Sequence, residues 1–335
     1  MRIKKFIIAG MMLAAAGMAF AKTKIVTTIF PEYDWVREIA GDKAKNAEIT
    51  LLIDSGIDLH SYQPSIKDIA KISTADIFIY VGGESDAWVN DVLKNAKNKD
   101  MKVINLMKVL GDKVKVEEIV EGMQVEEEEE HEHEHENEHE HGEEHGHHHH
   151  ASGEEEAEYD EHVWLSVRNA KILCGAICDA LCQKDEKNAA AYRANLAAYT
   201  AKLDRLDADF AAAVRGGNTK TLLFGDRFPF RYFVDDYGLS YYAAFVGCSA
   251  ESEASFETIV FLANKVDELG LKNVCQIESG NGKIARTIIE SSRRKDAKVL
   301  TLDSIQSTTQ KDIKGGATYL GVMQKNLAVL KEAVR

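Results

Sequence analysis

The sequence predicts an α/β protein of two lobes, each a mostly parallel four-stranded sheet flanked by helices, joined by one long rigid connecting helix. Three observations carry this expectation. Short β-branched and aromatic runs alternate with helical patterns in both halves of the 335-residue chain. One stretch interrupts the alternation, from Asp185 to Val214, and it holds neither Gly nor Pro. Apolar residues make up 45% of the chain, enough for two sizeable cores.

The chain opens with "MRIKKFIIAGMMLAAAGMAFA". Arg2, Lys4 and Lys5 form a positive n-region, an apolar run follows, and Ala19-Phe20-Ala21 fits an A-x-A cleavage site. Residues 1–21 therefore read as a signal peptide cleaved after Ala21. The apolar run falls short of the ~20 residues a transmembrane helix needs. No cysteine follows the cleavage site, so neither lipid attachment nor a direct membrane anchor is expected. An exported protein, periplasmic where the cell has an outer membrane, is the expectation.

The first lobe is expected over residues 22–125 and 157–184. "KIVTTIF", "EITLLI", "IFIYV" and "KVINL" read as its strands; "YDWVREIAGD", "SIKDIAKISTA" and "SDAWVNDVLKNAKN" carry helical apolar spacing. In "KILCGAICDALC", Cys174, Cys178 and Cys182 recur every four residues, which puts them on one helix face as small buried apolar groups. The connecting helix is expected over 185–214. There Tyr192, Leu196, Tyr199, Leu203, Leu206 and Phe210 step by four and three, a narrow apolar seam on a rod of roughly 45 Å that would limit hinge motion. The second lobe, 215–335, repeats the theme with strands "KTLLF", "YYAAF", "NVCQIE" and "AKVLTLD" and helices "ASFETIVFLANKVDEL" and "GKIARTIIESSRR". Cys248 and Cys275 lie apart from the helical cysteines and are candidates for one disulfide in an oxidising compartment.

The net charge of −14 is localised: residues 126–156 hold fifteen glutamates and no Lys, Arg or Asp. The rest of the chain is near neutral and shows no basic face, which excludes nucleic acid and anionic membrane as expected partners. The same run holds ten of the twelve histidines: His131, His133, His135, His139, His141, His145, His147, His148, His149 and His150. Such a run has too few apolar residues to fold and reads as a disordered loop with weak accessory metal binding.

Two histidines remain. His60 lies in "DSGIDLHSYQPSIKDI", just after the second strand, and His162 lies in "YDEHVWLSVRNAK". Neutral imidazole is the commonest side-chain ligand for zinc-like divalent ions. The three prolines, Pro31, Pro64 and Pro229, sit in strand-end loops, and ligands of parallel sheets bind outside the carboxyl ends of strands. These loops are the expected cleft.

"GIDLHSYQPSIKDI" resembles the G-x-x-x-H-x-Y-x-P-s-x-x-D-i element of the ZnuA-type receptors that serve ABC importers of zinc and manganese. "DEHVWLSVRNA" is similar to that family's D-P-H-x-W-L-D-P-x-N-A. "YRANLAAYTAKLDRLDADF" resembles its connecting helix, "IES" its strand-end Glu, "LTLDSI" its L-D-P-L segment, and "ATYLGVMQKNLAVLKEAV" its last helix. The resemblance runs from about Lys24 to the C-terminus. It implies one metal held between the lobes, with His60 and His162 as first-lobe ligands and Asp303 as a second-lobe carboxylate. At the family's remaining ligand position, before "YFVDDYGL", this sequence has Arg227. A guanidinium has no free lone pair and cannot ligate. The replacement is expected from Asp303 (bidentate), Glu278, Asp226 or water, with Arg227 paired to Glu278 or Asp226 beside the metal.

Two imidazoles with one or two carboxylates suit zinc and also accept manganese or iron, and no cysteine is expected in the candidate loops. Zinc receptors of the family often carry a His/acidic insertion before the second histidine motif, which places zinc ahead of manganese or iron. The expected function is high-affinity periplasmic zinc capture and delivery to an ABC-type permease by a monomer. Zinc storage or chaperoning by the His-rich loop is the alternative. A metallohydrolase is disfavoured, because no H-E-x-x-H and no suited general base is found.

Overall fold

The computed structural model describes residues 22–124, 158–249 and 253–335. The expected signal peptide and the His/Glu-rich loop over 126–156, with all ten of its histidines, lie outside the described residues.

Eight strands form where the β-branched runs predict them. β1 (Thr23–Thr27), β2 (Ala47–Leu51), β3 (Ile77–Tyr80) and β4 (Lys102–Asn105) make one sheet in the order β2-β1-β3-β4. β5 (Thr221–Phe228), β6 (Ser240–Val246), β7 (Asn273–Ile277) and β8 (Lys298–Leu302) make the other in the order β6-β5-β7-β8. Every pairing is parallel. Each order reverses direction beside its first strand, and that reversal opens a crevice at the carboxyl ends of the strands.

Helices 66–73, 256–268 and 283–291 lie where the apolar spacing puts them. Ser65 starts the first of these with a reciprocal cap: its hydroxyl accepts from the Asp68 N–H, and the Asp68 carboxylate accepts from the Ser65 N–H. "SDAWVNDVLKNAKN" is helical only over Val89–Lys94, because the Asp86 carboxylate accepts from the Gly82 N–H and holds the preceding residues in turns. Cys174, Cys178 and Cys182 are all buried on helix 167–184.

The connecting helix spans Ala189–Gly216 and buries Tyr192, Tyr199, Leu203, Leu206, Phe210 and Val214, while Leu196 packs at the margin. It lies against helices 30–40 and 167–184 of the first lobe and against the C-terminal helix 319–333. The two cores expected from composition are not one per lobe. Leu222 and Phe224, on one face of β5, join a core that continues into the first lobe, whereas Leu223 on the other face joins a smaller core with Leu262, Val274 and Ile288. Strand alternation thus makes the second-lobe sheet serve both cores. Tyr319, fully buried, packs edge-on to Trp35 and donates its hydroxyl to the Trp164 carbonyl, closing the seam between lobes.

The first lobe buries acids. Glu32 starts helix 30–40 and accepts from the Thr28 and Ile29 N–H groups. Burial, aided by Asp86, raises its pKa to about 8. Burial likewise lifts Asp34 to about 6 and Asp86 to about 7. For all three the folded value exceeds the unfolded one, so the folded chain keeps protons that the unfolded chain releases. The stabilisation is full below the ordinary carboxyl range and is lost as pH rises through these values. In metal-free protein, the Glu32→Gln variant should therefore gain in Tm over the parent as pH rises from about 5 to about 9. Calorimetry across that range checks it; a pH-independent difference contradicts it.

Candidate metal centre

His60 sits on a single 3-10 turn, Leu59–Ser61, beyond the carboxyl end of β2. Asp58 caps this turn by accepting from the His60 N–H at 3.1 Å. The imidazole Nδ1 is 2.8 Å from the Ser85 hydroxyl and 3.5 Å from Glu161 Oε2. Glu161 in turn accepts from the Ser85 N–H at 2.9 Å, so the loops after β2 and β3 lock together. At Gly83, φ is +80° and any Cβ would collide with the Glu161 carboxylate, so only glycine lets this loop approach.

His162 is fully buried at the start of the 3-10 turn Val163–Leu165. Asp160 accepts from its backbone N–H at 2.8 Å and lies 3.1 Å from its ring Nδ1. A carboxylate there requires the proton on Nδ1, which leaves Nε2 to face the cleft. The Tyr232 hydroxyl, from the second lobe, fixes the Asp160 carbonyl at 2.7 Å. The outcome is that His60 Nε2 and His162 Nε2 point at each other across 3.2 Å.

Their electrostatics differ. Burial depresses the His60 pKa to about 3, reinforced by His162 and only partly opposed by Asp58. Burial also acts to depress His162, but Asp160, Asp58 and Glu161 outweigh it and the net shift is upward. Of the two rings, His60 therefore takes up an added proton less readily than His162. Around them stand Asp58, Asp160 and Glu161 against one guanidinium, a field that favours a cation.

The second lobe contributes Arg227, Cys248 and Gln306. A bulge in β5 between Phe224 and Arg227 shifts the register against β6 and re-aims the arginine. Arg227 pairs with Asp58 of the opposite lobe at 2.8 Å and donates to the Ser249 carbonyl at 3.2 Å. Cys248 lies just past β6 beside the imidazoles. Among the described residues, His60, His162 and Cys248 are the set of three metal-type donors that lie within 4.8 Å of one another. Gln306 is buried with its amide group against His162 Nε2 and the Asp58 carboxylate, and the amide orientation that satisfies both sets its nitrogen 2.8 Å from Asp58 and its oxygen 3.2 Å from His162 Nε2. Ile305 beside it adopts φ +62°, a strained conformation for a β-branched residue, and strain of this kind gathers at functional sites.

The expected carboxylate ligands are engaged elsewhere. Asp303 accepts from the Ile305 N–H at 2.8 Å, and burial together with Glu278 raises its pKa to about 6. Glu278 accepts from backbone or hydroxyl groups of Ser304, Gln306 and Ser307, stapling the loop after β8. Asp226 accepts from the Arg227 and Ile277 N–H groups, and burial raises its pKa. Among the described residues none of the three is in the donor set that includes His60 and His162. Arg227 pairs with Asp58, not with Glu278 or Asp226. The candidate loops do contain a cysteine, and Cys248 and Cys275 are free thiols with no disulfide between them. Cys248, read from the sequence only as a disulfide candidate, and Gln306 were not expected at this centre. "VGCSA" has no ligand motif, and Gln306 is aimed by a local strain that no residue pattern announces.

Two parallel-sheet lobes on a helical spine, with paired imidazoles facing a cleft at the strand ends, define a two-lobed substrate-binding protein with a metal-type centre. Residues 25–333 match the family described as zinc-uptake complex component A, periplasmic (ZnuA), and the chain belongs to that family. It is 28% identical to the high-affinity zinc uptake system protein ZnuA of Bacillus subtilis, covering 98% of this chain and 96% of that one. It is 33% identical to the zinc-binding lipoprotein AdcA of Streptococcus pneumoniae over 94% of this chain, spanning 56% of AdcA's length. The Zn(II)-bound ZnuA-like domain of AdcA from Streptococcus pneumoniae superposes with a TM-score of 0.67 at 28% identity, covering 93% of this chain and 99% of that domain.

The Arg227–Asp58 pair is mostly buried and crosses the cleft, so removing one partner strands a charge. Arg227→Gln should lower the unfolding free energy of the metal-free protein by about 1–3 kcal/mol, and adding Asp58→Asn should restore part of it. Urea denaturation of both variants tests this; strict additivity contradicts a coupled pair.

Proposed function

We propose that the protein is the receptor of a zinc uptake system: it captures a zinc ion between its lobes outside the cytoplasm and delivers it to an ABC-type membrane permease. The observation that carries this reading is the pair of Nε2 atoms 3.2 Å apart, each ring anchored through its other face. That spacing suits two ligands of one tetrahedral ion, which sit roughly 3.3 Å apart at Zn–N distances near 2.0 Å. The ion is cargo, and the site has the attributes of a carrier. His60 holds a proton weakly, and both Nε2 atoms are presented to the same space.

Family membership and the zinc-binding names of the relatives support zinc over manganese and iron. The N-terminal sequence and the family description support export. Among the described residues no helix is long and apolar enough to cross a membrane. The His/Glu-rich segment 126–156 is proposed as an accessory that gathers zinc near the cleft.

Titration calorimetry with zinc tests the reading on the full chain, on a variant lacking residues 126–156, and on three substitutions. One tight site should survive the deletion and vanish in His60→Ala and His162→Ala. Asp160→Asn should weaken it by roughly 10–100-fold by releasing the His162 ring. Loss of tight binding with the deletion would instead assign the protein to zinc storage.

A further inference from the structure

We propose that Cys248 supplies a metal ligand from the second lobe, making the centre a pair of imidazoles and one thiolate. This rests on the zinc-receptor reading and specifies the donor set of the same site.

The geometry selects this side chain. Its Sγ is the donor that completes the three-membered set with His60 and His162, all within 4.8 Å. Ligands of a tetrahedral ion at about 2.0 Å for nitrogen and 2.3 Å for sulfur stand roughly 3.3–3.6 Å apart, so binding draws the donors inward by about 1 Å. Asp303 Oδ1, Glu278 and Asp226 accept from backbone N–H groups and none lies in that set, and the thiol makes no disulfide.

The surroundings fit a positioned ligand. A Cβ on Gly247 would stand 3.0 Å from His162 Cε1 and 3.0 Å from the Phe228 carbonyl, so the glycine lets the cysteine-bearing turn press against the imidazole. The Cys248 N–H is held by Glu117 Oε1 at 3.2 Å. On the other side, Arg227 grips the Ser249 carbonyl at 3.2 Å and Asp58 at 2.8 Å. Asp58 also caps the turn carrying His60. One guanidinium therefore ties the thiol's turn to the histidine's turn. The residue that cannot ligate positions the one that does.

When the ion binds, the Cys248 S–H proton leaves to solvent and an Sγ–metal bond takes its place. No oxidant or reductant is needed. A thiolate also selects: sulfur favours zinc and cobalt over manganese, which prefers oxygen donors.

Cobalt(II) at one equivalent is the probe, added to the reduced full-length protein. The parent should show a near-ultraviolet thiolate-to-cobalt charge-transfer band together with visible bands of a tetrahedral ion. Residues 126–156 contain no cysteine, so that segment cannot supply the sulfur band. Cys248→Ser should abolish the charge-transfer band, keep its far-ultraviolet circular dichroism, and bind zinc roughly tenfold or more weakly. Cys248→His should recover affinity without the band. If the parent binds cobalt through His60 and His162 with no sulfur band, or if Cys248→Ser keeps the band, the thiolate assignment is overturned and the receptor reading stands. If cobalt and zinc binding are both unaffected by His60→Ala and His162→Ala, the receptor reading falls with it.

Discussion

The structure is organised around two imidazole nitrogens held face to face. Neutral rings that both direct lone pairs into a 3.2 Å gap repel each other, so a proton or a metal ion must occupy the space between them. Each ring is kept there by a partner on its far side: Ser85 and Glu161 for His60, Asp160 for His162. Those partners are held in their turn, Glu161 against a glycine loop and Asp160 by a tyrosine from the other lobe. The burial that fixes the rings also lowers the proton affinity of His60, which leaves the centre ready for a cation at ordinary pH.

The fold supplies the stiffness that such a juxtaposition needs. Both sheets present the carboxyl ends of their strands to the same crevice, so side chains from the ends of β2, β5, β6 and β8 can meet there. The larger core runs through both lobes, and the connecting and C-terminal helices seal it. Polar ties lie between the core and the centre: the Trp164 indole on the Ser304 carbonyl, the Gln310 N–H on the Asp54 carbonyl, and Arg227 on Asp58. The two lobes thus share one core, and the loops that carry His60 and Cys248 are tied across the lobes by Arg227.

The elements were legible in the sequence because their signals are local. Runs such as "IFIYV" satisfy the strand period within a few residues, and the gap in Gly and Pro from Asp185 to Val214 marked the long helix to within a few residues of each end. His60 and His162 stood out because no other histidines lie outside the acidic run. The second-lobe partners were hidden because their placement is not local. Arg227 meets Asp58 across 169 positions of chain, after a bulge that residue pattern does not reveal. Glu278 also accepts hydrogen bonds from the loop that presents Gln306, and Asp303 Oδ1 accepts from Ile305 in the same loop, contacts that no residue pattern reveals.

Zinc-edge X-ray absorption on the protein loaded with one equivalent of zinc tests the central claim most directly. Two imidazole nitrogens at about 2.0 Å are predicted, with their multiple-scattering signature lost when His60 and His162 are both replaced by alanine. A spectrum unchanged by that double substitution would place the ion elsewhere and contradict the account.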